Sequence, residues 1–249
     1  MGKLRKAYNS FRVTLGDIGA PPLSAQPLPE VPPERARGVV FSMYKRNISR
    51  RVVAAQRQML LRYVPADVAI VQLCSRQSHP QALNAFVRNT AYKAVVILDI
   101  DCVPIRAGAI EMLLDLAEAG NLAGASARSN HIQNNEHVYA GPYCMAFTME
   151  TYRRLGSPDF RETERGDVGE ELTYIAESRG VPVKLVWAVS SEEEHIWDLK
   201  DGLRYGRGTT YEGGFWHAFM IRYMEHQRGF VARIERMLQE SDATQAAGE

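Results

Sequence analysis

Cysteine is scarce in this sequence. Cys74, Cys102 and Cys144 are too few and too scattered for a disulfide framework or a CxxC zinc site. Each sits in an apolar run, which predicts buried thiols in a reducing compartment. Net charge is almost absent. Lys and Arg number 30 against 29 Asp and Glu, giving +1, so no long-range field selects nucleic acid or an acidic membrane. No apolar run is long enough to cross a bilayer, and the opening MGKLRKAYNSFRV lacks the apolar core of a signal peptide. A cytoplasmic protein with no membrane span is therefore the expectation. What is present is a 45% hydrophobic chain of 249 residues, enough to bury one large core.

Proline is concentrated in residues 19–38, GAPPLSAQPLPEVPPERARG, which can be neither helix nor central strand. Residues 1–37 are read as an N-terminal arm, 38–240 as a single domain ending in a helical extension, and 241–249 as a disordered tail of small and polar residues. Within the domain, GVVFSMYKR, DVAIVQLCS and KAVVILDID read as strands. Between them lie two helical patterns. One opens at Asn47 or Ser49, and the other, HPQALNAFVRNTAY, has Pro80 in its first turn. RAGAIEMLLDLAEAG is a third helix, stopped by Gly120. This alternation predicts an α/β fold with a largely parallel sheet flanked by helices. FWHAFMIRYMEHQRGFVARIERMLQ reads as helical, with Gly229 as a possible break.

The third strand delivers Asp99 and Asp101, one residue apart, at a carboxyl end, where ligands of such sheets gather. A lone aspartate there is commonly a helix cap. Two on an extended strand face the same way and repel, which calls for a divalent cation, and carboxylates suit Mn²⁺ or Mg²⁺. A DxD pair at a strand end occurs in glycosyltransferases of the GT-A (Rossmann-like) fold and in phosphatases of the haloacid-dehalogenase type. Asp99-Ile-Asp101-Cys-Val103 fits the phosphatase pattern as well, and Gly166-Asp167-Val-Gly-Glu-Glu171 resembles its late acidic motif. Two β-α units precede the pair, however, and no lysine lies between Asp101 and Asp167, so the phosphatase is the second reading.

Residues 38–187 resemble a GT-A glycosyltransferase of the family-2-like group. HPQALNAFVRNTAYKAVVILDIDCVPI resembles that group's ALN and DxD stretch, through His79, Ala82, Leu83, Asn84, Asp99, Asp101, Cys102 and Pro104. YAGPYCMAFTMETYRRLGSPDF resembles the glycine-containing strand of the donor pocket, which implies donor binding at Gly141. GDVGEELTYIAESRGVPVKLV resembles the acidic helix that carries the general base of inverting members. The second strand ends VQLCS, where the family usually has an aspartate against the base.

The resemblance implies a transferase that moves sugar from a nucleoside diphosphate sugar, a UDP-sugar first of all, to an acceptor hydroxyl. That hydroxyl belongs to a saccharide or to a modified base in DNA. Asp101 is the expected metal ligand, with Asp99 on the ribose or on the metal through water. A third ligand is expected from His217 or, second, His195. Glu170 and Glu171 rank together as the base, ahead of Asp167; adjacent helical residues point about 100° apart, so spacing does not choose. Arg207, in the glycine-rich RYGRGTTYEGG, is read as a diphosphate ligand on a flexible closing loop. Trp197 and Trp216 are read as acceptor-stacking residues, with core packing as the competing role. A nucleotidyltransferase, or a GT-A domain that binds sugar nucleotide without catalysis, are further alternatives.

Overall fold

The structure is a computed structural model that describes residues 13, 17–20, 22–129, 136–192 and 195–248, with side chains unassigned at 195–196 and 244–248. Strand β1 (Gly38–Tyr44) pairs in parallel with β2 (Val68–Cys74) and β3 (Ala94–Leu98). Parallel neighbours need crossovers, and these are helices α1 (Arg50–Tyr63) and α2 (His79–Asn89). Ser49 caps α1 by accepting the Arg51 N–H, and Ser78 with Gln81 forms a capping box on α2 ahead of Pro80.

After β3 come a short strand β4 (Cys102–Pro104), helix α3 (Ala109–Glu118) and β5 (Leu122–Arg128). Strand β6 (Val138–Thr148) lies antiparallel between β3 and β5. Helices α4 (Met149–Arg154) and α5 (Glu170–Ser178) follow, and β7 (Val183–Val186) pairs in parallel with β5. The sheet order is β2-β1-β3-β6-β5-β7, with β6 alone reversed.

Both faces are covered, which explains why β3 is buried along its whole length. Val40, Val96 and Leu98 pack on one face with Leu60, Leu113 and Leu114. Val39, Phe41, Val95 and Ile97 pack on the other with Leu83, Tyr152 and Leu172. This is the α/β architecture, largely parallel and flanked by helices, that the sequence predicts.

The C-terminal part departs from the sequence reading. Strands β8 (Ala188–Ser191), β11 (Thr209–Tyr211) and β12 (Phe215–His217) extend β4 into a second sheet, ordered β4-β12-β11-β8. Strands β9 (His195–Asp198) and β10 (Arg204–Gly206) form a two-stranded ribbon. RYGRGTTYEGG is thus built into strands rather than a free loop. FWH is strand, not helix. Phe219 and Met220 hold φ of 57° and 55°, a left-handed conformation that no right-handed helix passes through. Helix α6 (Met224–Gly248) starts only beyond them, runs through Gly229 without a break and continues across residues 241–248.

The proline-rich segment makes a 3₁₀ turn at Leu23–Ala25 and lies against the domain. Leu23, Leu28 and Val31 pack on the core, and the Tyr92 hydroxyl donates to Val31 O. Among the described residues no helix is long and apolar enough to cross a membrane.

Candidate metal centre

Asp99 and Asp101 sit in a turn between β3 and β4, not on an extended strand. The Cys102 N–H closes the turn on Asp99 O at 2.9 Å, and the Asp99 N–H donates to Tyr143 O at 3.0 Å. The two carboxylates therefore converge by a chain reversal, not by strand alternation. Strand β12 brings the third group. It pairs antiparallel with β4 in the register His217↔Cys102, and the Ala218 N–H donates to Asp101 O. Ligand atoms of Asp99, Asp101 and His217 lie within 4.8 Å of one another. His217 Nε2 is 3.2 Å from Asp101 Oδ1, with side chains only 3% and 5% exposed, while Asp99 is 30% exposed.

One nearly buried carboxylate, one partly exposed carboxylate and an imidazole in that span fit a divalent cation. Oxygen donors with one nitrogen suit Mn²⁺ or Mg²⁺, and a cation relieves the repulsion between the acids. His217 Nδ1 is buried and has no hydrogen-bond partner among the described residues.

The group opens into a cavity of about 450 Å³. Its walls include Lys45 and Asn47 beyond β1, His79 at the start of α2, Tyr143 on β6, and Trp197, Phe219 and Arg222. His79 Nε2 stands 2.9 Å from Asp99 Oδ1. Burial pushes the His79 pKa down, and the Asp99 carboxylate more than reverses this, so the net direction is up. Burial alone would raise the Asp99 carboxyl; His79 and then His217 hold it below the ordinary carboxylate value.

Tyr143 lies tilted by 32° against His217 with ring centroids 4.5 Å apart, and its hydroxyl donates to Ser126 O at 2.8 Å and meets the Tyr211 hydroxyl at 3.0 Å. Gly141 makes room for that ring: a Cβ there would lie 2.5 Å from Tyr143 Cε1. Trp197 and Phe219 meet edge to face at 5.4 Å along the same wall.

The other expected residues are dispersed. Trp216 points away from the triad, as the alternation along β12 requires. It stacks on Phe230 of α6 at 5.8 Å and belongs to the core there. Arg207 Nη1 is 2.9 Å from His226 Nε2 and lines a separate cavity of about 390 Å³ against α6. The backbone of His195 pairs with Gly206; its side chain lies outside the described residues.

Of the three acids, none lines the metal cavity. Glu170 is fully buried; its Oε1 lies 2.9 Å from His137 Nδ1 and its Oε2 accepts the Asp167 N–H at 2.8 Å. Glu171 takes both Arg165 nitrogens, at 2.5 and 3.0 Å. Asp167 is half-buried, and its Oδ1 accepts the Val168 N–H at 2.6 Å. Tyr205 packs at 5.1 Å on Trp197, a wall of the metal cavity.

Sequence reasoning missed Lys45, Tyr143, Phe219 and Arg222, and gave His79 only as part of a motif. The signal for His79 was its place directly before Pro80, at the mouth of a helix that opens beside the strand ends.

No protein-family model matches the chain, and no curated protein matches it. Among solved structures it is similar to a mannosyltransferase from Pyrobaculum calidifontis in complex with GDP-Man and Mn²⁺. That likeness has 18% identity and a TM-score of 0.45, over 72% of this chain and 65% of the other. It is also similar to the glycosyltransferase GlyE of Streptococcus pneumoniae, at 14% identity and a TM-score of 0.40, over 59% of this chain and 45% of the other. Drosophila β1,4-galactosyltransferase 7, in complex with manganese, UDP-Gal and xylobiose, follows at 11% and 0.35, over 68% and 70%. The chain thus spans less than two thirds of the first two of these transferases. The chain's own sheet is largely parallel with β6 alone reversed, and the acid pair follows β3 at its carboxyl end.

Proposed function

We propose that the protein is a metal-dependent glycosyltransferase that moves a sugar from a nucleoside diphosphate sugar to an acceptor hydroxyl. The observation that carries this is the Asp99–Asp101–His217 group at the carboxyl end of the sheet, opening into a cavity with cationic side chains on its rim. Asp101 and His217 would hold Mn²⁺ or Mg²⁺, with Asp99 as the more exposed ligand. When bound, the cation neutralises charge on the departing nucleoside diphosphate. Lys45 and Arg222 supply point charges for the phosphates. Trp197 and Phe219 supply an aromatic face for a sugar ring, and Tyr143 holds the His217 imidazole in place.

Both oxygens of Glu170 and of Glu171 are engaged, the first in the core and the second by a surface arginine. Glu170, Glu171 and Asp167 stay the candidates for the base toward the acceptor hydroxyl if configuration inverts. A saccharide is the acceptor class an aromatic wall favours. A modified base in DNA would instead show as steeply salt-dependent DNA binding.

Thermal melting against a panel of nucleoside diphosphates and sugar nucleotides, with and without Mn²⁺, tests the proposal. A ligand of the native state must raise the melting temperature by linkage. Stabilisation by one diphosphate only with Mn²⁺ supports the transferase and names the base, with UDP expected first. Stabilisation by none of them, together with phosphatase turnover, would favour Asp99 as a phosphatase nucleophile.

A further inference from the structure

A chain of side-chain hydrogen bonds runs from the N-terminal arm to the metal-ligand turn. Its last member is Gln56, fully buried on α1. The Gln56 amide donates from Nε2 to Asp99 O at 2.7 Å and to Cys102 O at 3.1 Å, the two ends of the turn. Both acceptors are carbonyls, so only an NH₂ group can bridge them, and this fixes the amide's orientation. Its Oε1 accepts from Gln72 Nε2 at 2.8 Å. Gln72 also donates to Val53 O at 3.3 Å, and its Oε1 accepts from Arg57 Nε at 2.8 Å. Arg57 Nη1 then donates to Leu23 O at 2.5 Å and Gln26 O at 2.9 Å, both in the arm.

We infer that Gln56 is a positioning residue for the metal-ligand turn, and that the arm, through Arg57 and Gln72, holds Gln56 against it. This rests on the reading of Asp99 and Asp101 as metal ligands. Gln56 contacts only backbone carbonyls of the turn, so it neither binds the cation nor adds charge. It ties Asp99 to Cys102, the residue after Asp101, and so restrains the backbone that carries both carboxylates. Two acids that repel each other spread apart unless their backbone is fixed, and a spread pair chelates poorly. A buried polar network also needs every member satisfied. Removing Arg57 from the far end leaves Gln72 Oε1 without its donor and loosens Gln56 without touching the turn.

Titrating full-length protein with Mn²⁺ and reading free Mn²⁺ by electron paramagnetic resonance, with no nucleotide present, tests the inference. Gln56→Met keeps the length of the side chain and removes the amide. Loss of an outer partner of a metal ligand typically weakens affinity about 10- to 100-fold, and a rise in Kd of that order is expected. Arg57→Met should raise Kd by less. The double variant should be no weaker than Gln56→Met alone, because both act through one chain. If Gln56→Met does not fold, Gln72→Leu, which touches neither the turn nor the arm, takes its place with the same expectation. A variant that melts earlier yet binds Mn²⁺ with the wild-type Kd would reduce Gln56 to packing and overturn the inference. Additive effects in the double variant would overturn the part assigned to the arm. Absence of Mn²⁺ binding in the wild type would instead overturn the metal reading itself.

Discussion

Asp101 and His217 are 116 positions apart in the chain and 3.2 Å apart in space, with side chains only 5% and 3% exposed. A carboxylate so enclosed is tolerated only with a compensating charge or donor. His217 gives part of this, and a cation would complete it. Asp101→Ala is therefore expected to abolish metal-dependent turnover and to remove any rise in melting temperature on adding Mn²⁺. The fold should remain intact, because the turn is held by backbone bonds and by Gln56 rather than by this side chain. Full activity in the variant would sink the metal reading. The aspartate pair was legible in sequence because two acids after an apolar run conflict with strand burial. His217 was legible only as one of two histidines, since what selects it is the β4–β12 register, which pairs residues far apart in the chain. For Trp216 the sequence left acceptor stacking and core packing both open for the same reason: read as helix, it has no assigned face, whereas on β12 it must face away from its neighbour His217 and packs in the core.

Helix α2 and the segment after α4 carry two of the sequence motifs, and the structure joins them. Asn84 Nδ2 donates to Asp159 Oδ1 at 2.7 Å, and Asn84 Oδ1 accepts the Phe160 N–H at 3.1 Å. Asp159 also accepts from Arg161 and Arg88. Burial would raise its pKa, but Arg161 and Asn84 more than offset this and bring it from 3.8 down to about 2. A carboxyl depressed in the folded state stabilises above its unfolded pKa, and that contribution disappears as pH falls through the folded value. The clamp should hold fully above 3.8 and be lost as pH falls to about 2. Asp159→Asn should be less stable than wild type at neutral pH and lose less on acidification across that window, measured by urea denaturation at several pH values. Equal acid sensitivity in the two proteins would remove Asp159 from the account. The β-α-β-α order was readable because burial on both faces leaves continuous apolar runs, and caps mark the helix starts. Strands β8 to β12 were not readable. Each is three or four residues long, too short for period-2 alternation to stand out from a helical pattern.

Across the whole molecule, α6 is a wall of the domain rather than an appendage to it. Phe230 and Ile234 are buried in one cluster with Val52, Val53 and Met59 of α1, Ile100 of the metal-ligand turn, Val103 of β4 and Trp216 of β12. The far end of the helix is tied to α1 as well, through Arg62 with Asp242 at 2.6 Å and Tyr63 with Ser241 at 3.1 Å. The residues of α6 are thus needed to close the core beneath the turn that carries Asp99 and Asp101. Truncating a buried phenylalanine to alanine costs about 3–5 kcal/mol through lost burial and the cavity left behind. Phe230→Ala should lower global stability by that order. If α6 is part of one cooperative unit, circular dichroism and tryptophan fluorescence will follow a single coincident transition in denaturant, shifted but not split. An early helical loss followed by an unshifted main transition would mean that the sheet and the metal-ligand turn fold without α6. The helix would then be a separate extension of the domain.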